Sequence, residues 1–121
     1  MIVRTGHQER CLASGDWSGY AGGDAPGLAF ETAHWIKKHD IVAICADTWG
    51  CGGRPNETDE ANQPWHWVVI PATGISMAEI FYVKELAQDC AADGVYEFFF
   101  SAPPLHVPGA AGSPINPQAI K

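Results

Sequence analysis

The apolar positions of this chain fall into runs and stripes separated by glycine-rich and polar stretches. Ile41 to Ala46, IVAICA, is an unbroken apolar run containing β-branched residues, the pattern of a strand covered on both faces. Ahead of it, Leu28, Thr32, Trp35 and Ile36 fall on one helical stripe, which predicts a helix over Pro26 to Asp40. Pro26 suits the first turn of such a helix, because its missing N–H would have no partner there. Glu31 near the start and Lys37, Lys38 and His39 near the end complement the helix dipole. Lys84 to Asp93, KELAQDCAAD, consists of good helix formers, and Gly94 suits its C-terminal end. Val95 to about Ala102 is strongly β, and its three consecutive phenylalanines predict burial on both faces.

The weaker signals lie between these. Met1 to Thr5 reads as a strand, and Ile75 to Phe81 alternates well enough for another. Pro64 to Thr73 fits either a short helix or a strand, with Pro71 set against a long helix and Gly74 as a break. Leu105 to Val107 suggests a last short strand. Gly6 to Ala25 is expected as a long loop that carries function or covers an interface, Gly50 to Asn62 as a loop without packing signal, and the tail from Pro108 as extended and without periodicity. Helix followed closely by strand gives the fold class: α/β, a mixed sheet flanked by two or three helices, in one domain over residues 1–121.

Composition narrows the function classes. A net charge of −7 with a pI near 5.0 argues against nucleic acid, which requires a basic face, and equally against docking on anionic lipid. No stretch reaches the roughly 20 apolar residues of a membrane span, and the N-terminus lacks a signal-peptide core, so a cytoplasmic protein is expected. Only 17% of residues are charged, against five Trp, five Phe and three Tyr. That much aromatic surface in a small domain implies a homo-oligomer, a dimer or higher, in which a second copy covers an apolar patch. Cys11, Cys45, Cys51 and Cys90 show no metal-ribbon or thioredoxin spacing and are expected as structural thiols.

The candidate chemistry centres on His66 and Glu79. Imidazole and carboxylate are ligands for zinc or manganese, and they are also partners in acid–base work. Asp47, followed by Trp49, closes the apolar run, where ligand sites of such folds gather. Asp47 has two readings: a site carboxylate, or an acceptor for nearby backbone N–H groups, the second being favoured. His34 and His39 are expected in solvent. There is no glycine-rich phosphate loop and no nucleophile elbow.

Several runs carry a resemblance. VRTGH (Val3–His7), PGLAFETAHWI (Pro26–Ile36), ADTWG (Ala46–Gly50), His66 with Glu79, and the long run from Asp93 to Ile120 occur in the order found in the cyclase family. The chain resembles the C-terminal half of these kynurenine-formamidase-like, metal-dependent hydrolases. The resemblance implies a truncated swivelling β/β/α fold and hydrolysis of linear or cyclic amides by a metal-activated water. It implies His66 and Glu79 as metal ligands, and it keeps Asp47 and Trp49 as substrate-binding candidates. The family's N-terminal HxGTHxDxPxH motif, which supplies most ligands, is absent, and Cys51-Gly52-Gly53 stands where a Glu is frequent. Two ligands fall short of the three that a catalytic zinc uses. The expected function is therefore an arylformamidase-like protein, incomplete alone, whose missing ligands come from another polypeptide or across a homo-oligomer. The alternative is a non-catalytic, oligomerising domain that binds a small molecule.

Overall fold

A computed structural model describes all of residues 1–121. The apolar run becomes β2 (Ala43–Ala46), the central strand of a parallel sheet, with β1 (Ile2–Val3) on one side and β3 (Ser76–Ala78) on the other. Ile2 pairs with Cys45, and Ala43, Ile44 and Cys45 pair with Ser76, Met77 and Ala78. A central parallel strand must be covered on both faces, and Ile44, Cys45 and Ala46 are all buried. The N-terminal amine extends the β1–β2 pairing by donating to the Ala43 carbonyl at 2.8 Å.

Two helices cover one face of this sheet: α2 (Thr32–Lys38) and α3 (Pro64–Thr73). Ala33 and Ile36 of α2, Trp65 and Val69 of α3, Ile44 and Ala46 of β2, and Cys51 and Ile75 form the core cluster. Ile36, Ile44 and Val69 are fully buried, each worth about 1.5–3 kcal/mol of apolar transfer. The Trp65 indole N–H donates to Thr32 Oγ1 at 3.0 Å, so the one polar atom of that buried ring is satisfied.

Helix α1 (His7–Ser14) forms inside the stretch expected as a loop. Gly6 and Gly15 bound it, both left-handed (φ 81° and 69°), and the Gly15 N–H caps onto the Cys11 carbonyl. His7 and Cys11, one turn apart, are its buried positions. The second helix starts six residues later than Pro26 suggests. Residues 25–28 are extended instead, because Ala25 bridges to Arg54 and Leu28 to Gly52. The Leu28 N–H donates to the Cys51 carbonyl at 2.8 Å and the Gly53 N–H to the Leu28 carbonyl at 3.0 Å.

By contacts the chain divides into two compact units, Met1–Lys84 and Glu85–Lys121. The second holds α4 (Lys84–Asp93) and an antiparallel pair, β4 (Phe99–Ser101) with β5 (Gln118–Ile120). The last strand lies in the tail expected to be extended but without strand periodicity, while Leu105–Val107 is not a strand. Lys121 ties the unit together: its Nζ reaches Asp93 Oδ2 at 2.8 Å, Asp89 Oδ2 at 2.9 Å and the Val95 carbonyl at 3.0 Å. These acceptors hold the Lys121 ammonium pKa well above its ordinary value. The expected two-sided burial of the phenylalanines does not hold. Phe98 and Phe100 are half-buried and meet edge to face, whereas Phe99, on the other face, is 69% exposed beside Ile120 at 54%. A two-stranded ribbon buries one face at most, and alternation sends Phe99 outward.

Candidate functional site

The sequence places His66 in the first turn of α3 and Glu79 just past β3, and the fold brings them together. Pro64 opens α3, where its missing N–H costs nothing, and the turn that follows projects the His66 ring toward the end of β2. Glu79 arrives there because the chain after β3 pairs with the end of β2. The Ile80 N–H donates to the Thr48 carbonyl at 3.0 Å and the Phe81 N–H to the Ala46 carbonyl at 2.9 Å. Ile80 adopts φ 63°, a left-handed conformation that a β-branched residue takes only at a cost. That strain falls on the residue next to Glu79.

His66 Nε2 and Glu79 Oε1 are 3.0 Å apart, and the same oxygen accepts the Cys51 N–H at 3.1 Å. A carboxylate only accepts, so this bond places the imidazole proton on Nε2. His66 Nδ1 is then the acceptor, and it is buried without a partner. The Cys51 thiol is buried against the Ala78 carbonyl, and burial first, then the Glu79 charge, pushes its pKa far up. All four cysteines are free and buried.

Asp47 and Trp49 face elsewhere. Asp47 is 1% exposed and both its oxygens are occupied. Oδ1 accepts the Thr5 N–H at 2.6 Å and the Thr5 hydroxyl at 2.7 Å, and Oδ2 accepts the Gly6 N–H at 2.8 Å. This anchors the entry to α1. The Trp49 indole donates to the Gly23 carbonyl at 3.2 Å, and the Arg54 guanidinium lies 5.0 Å from its ring centre. His34, His39 and His106 are exposed, and His39 stacks on Trp35.

Two residues of this region were not among the sequence candidates, although His7 closes the VRTGH run. His7 is buried, with Nδ1 3.3 Å from Thr48 Oγ1 and its ring edge-on to Tyr20. Tyr20 donates to the Asp47 carbonyl at 3.1 Å, and burial, with the nearby Asp47 charge second, pushes its phenol up to about 12. Burial lowers the His7 pKa and the Arg10 charge lowers it further, while Asp47 opposes. The unfolded chain therefore takes up a proton at His7 before the folded chain does. The His7 contribution is whole above the unfolded value near 6.5 and is lost as pH falls below it. Urea titrations at pH 7.0 and 5.5 should show a loss of stability that shrinks in His7→Gln; an equal loss in both proteins would refute this.

A divalent metal was expected at His66 and Glu79. No group of three or more His, Cys, Asp and Glu side chains is arranged to hold a metal ion. His66 and Glu79 already bond each other, His66 Nδ1 is buried without a partner, and two such donors do not by themselves fit a catalytic ion. No helix is long and apolar enough to cross a membrane.

No family model and no curated protein matches the chain. Among solved structures, the crystal structure of a novel cyclase is similar, with a TM-score of 0.82 and 34% identity over 99% of this chain. The chain spans 39% of the length of that protein.

Proposed function

We propose that the chain is a cyclase-family protein that carries the His66–Glu79 portion of an arylformamidase-like, amide-hydrolysing centre and does not turn over amides alone. The observation behind this is the 3.0 Å His66–Glu79 contact in a chain that resembles a cyclase over nearly all its length. In this reading Glu79 and the Cys51 N–H fix the orientation of the imidazole, and the remaining donors come from outside these residues. Zinc or manganese is the group such donors suit. With two ligands, affinity should be modest, so calorimetric titration of the apoprotein with zinc is expected to give weak binding. It should fall at least tenfold in both His66→Ala and Glu79→Ala, with no hydrolysis of N-formyl aromatic amines by the chain itself. Zinc affinity unchanged in both variants would remove the pair from the reading, and turnover by the purified chain would show the centre to be complete.

A second reading, an oligomerising domain, is favoured by the outward face of the β4–β5 ribbon. Phe99 and Ile120 pair across the strands there, and both are more than half exposed. Tyr96, Leu105 and Val107 of the same unit are exposed as well, and only Cys90 of Glu85–Lys121 is fully buried. Aromatic side chains hide about 150–250 Å² each, so a few such residues from each of two copies approach the roughly 1,200 Å² of a stable interface. The proposed occupant is a second copy. Sedimentation is expected to give a dimer or larger species that shifts toward monomer in Phe99→Glu. A monomer at 100 µM would overturn it.

A further inference from the structure

The stretch from Gly50 to Asn62 carries one cation, Arg54, and the fold builds a groove around it. The groove holds about 420 Å³, within the range of small-molecule sites, between Gly22–Asp24 on one side and Arg54, Asn56 and Asn62 on the other. Its walls are fixed by backbone. Arg54 and Ala25 exchange N–H···O bonds at 2.9 and 3.2 Å, and the Trp49 indole holds the Gly23 carbonyl. Arg54 and Asn56 also line, together with His66, an adjoining cavity of about 10 Å³, room for roughly one water.

The partners of Arg54 are unusual for this composition. Acids outnumber Lys and Arg fourteen to seven, yet Arg54 makes no ion pair; the lysine and arginine ion pairs are Arg4 with Glu9 and Lys121 with Asp89 and Asp93. Its Nη1 donates instead to two neutral amide oxygens, Asn56 Oδ1 at 2.7 Å and Asn62 Oδ1 at 2.8 Å, and its plane is backed by Trp49. These contacts fix the guanidinium without cancelling its charge. The Nε–Nη2 edge has no protein acceptor, and that edge is the fork that grips a carboxylate in two parallel bonds. Asp24 and Asp59 also line the groove and outnumber its one guanidinium, so it admits at most a singly charged anion, seated on the Arg54 fork itself.

We propose that this groove binds an organic monocarboxylate on the free edge of Arg54. The inference rests on the groove and not on the hydrolytic reading, so each can fail without the other. The full chain would be titrated with benzoate, with its neutral isostere benzamide and with inorganic phosphate, following backbone amide shifts of residues 22–24 and 54–62. Benzoate is expected to saturate at these residues and to bind at least tenfold more tightly than either comparator, because benzamide lacks the charge and phosphate adds one. Arg54→Gln should lower benzoate affinity at least tenfold and leave benzamide unchanged, and Arg54→Lys should fall between. Equal binding of benzoate and benzamide, phosphate binding as tight as benzoate, no binding at all, or undiminished benzoate affinity in Arg54→Gln would each overturn the proposal. If Arg54→Gln fails to fold, the benzoate-to-benzamide ratio of the parent chain decides alone. A chain that binds no zinc yet shows this ratio would lose the hydrolytic reading and keep the carboxylate site.

Discussion

Replacing Asp47 with alanine is expected to lower stability by about 4 kcal/mol, because a buried carboxylate accepting three hydrogen bonds is removed at once. Each bond to an ionised acceptor is worth about 1.5–3 kcal/mol, and the Thr5 and Gly6 N–H groups are left in a site that water reaches poorly. Asp47→Asn should cost less, about 2–3 kcal/mol, since the amide keeps one acceptor and turns a donor toward an N–H. For a chain of this size the alanine variant corresponds to a fall in thermal midpoint of roughly 15–25 °C. Urea unfolding of the three proteins makes the comparison. A substrate-binding Asp47 would behave differently, leaving stability nearly unchanged while weakening a ligand, and a cost below about 1 kcal/mol would favour that role.

The second large effect is expected at Gly27. A Cβ on this residue would lie 2.5 Å from the Gly52 carbonyl carbon, and 2.6 Å from both the Gly52 oxygen and the Gly53 nitrogen. All three are backbone atoms on the loop that carries the Cys51 N–H to Glu79, so neither side yields by a rotamer change. Gly27→Ala must break the Leu28–Gly52 bridge, with an expected loss of about 3 kcal/mol. Gly53→Ala is the control. Its Cβ would meet Gly27 at 3.7 Å, an ordinary contact, and stability should stay within about 1 kcal/mol of the parent. Because the Cys51 N–H bonds Glu79, Gly27→Ala should also disturb the His66 ring, visible as a shift of its imidazole resonances. Equal stability of the two alanine variants would show that the loops slide apart without cost.

Where a side chain's role is set by its near neighbours, the reading from sequence holds. The last four residues of the IVAICA run became the central strand while Val42 stayed exposed, Lys84–Asp93 became a helix ending at Gly94, and Pro64–Thr73 took the helical of its two readings with Pro71 inside it. His66 and Glu79 were singled out by residue type and then by resemblance, but thirteen residues of separation encode no geometry. Other features were not legible. Helix α1 lies among glycines that suggest a loop, and its entry is anchored by Asp47, some forty residues away. Strand β5 has too little apolar pattern to declare itself, and it exists because Phe99–Ser101 offers an edge. Arg54 looked like one charge in a polar loop.

The sequence by itself determined the α/β class, the central strand and the main helices, because apolar periodicity and end residues act within a turn or two of chain. It also determined the acidic surface and the residue types available for chemistry. The tertiary structure alone decided that Glu79 meets His66, through the pairing of Ile80 and Phe81 with the end of β2. It decided as well that Asp47 turns inward to Thr5 and Gly6, and that Arg54 is held by neutral amides and makes no ion pair. Apart from the Arg54–Asn56 bond, these contacts join residues 8 to 42 positions apart. Their geometry depends on how strands register and where loops cross, which no local pattern specifies.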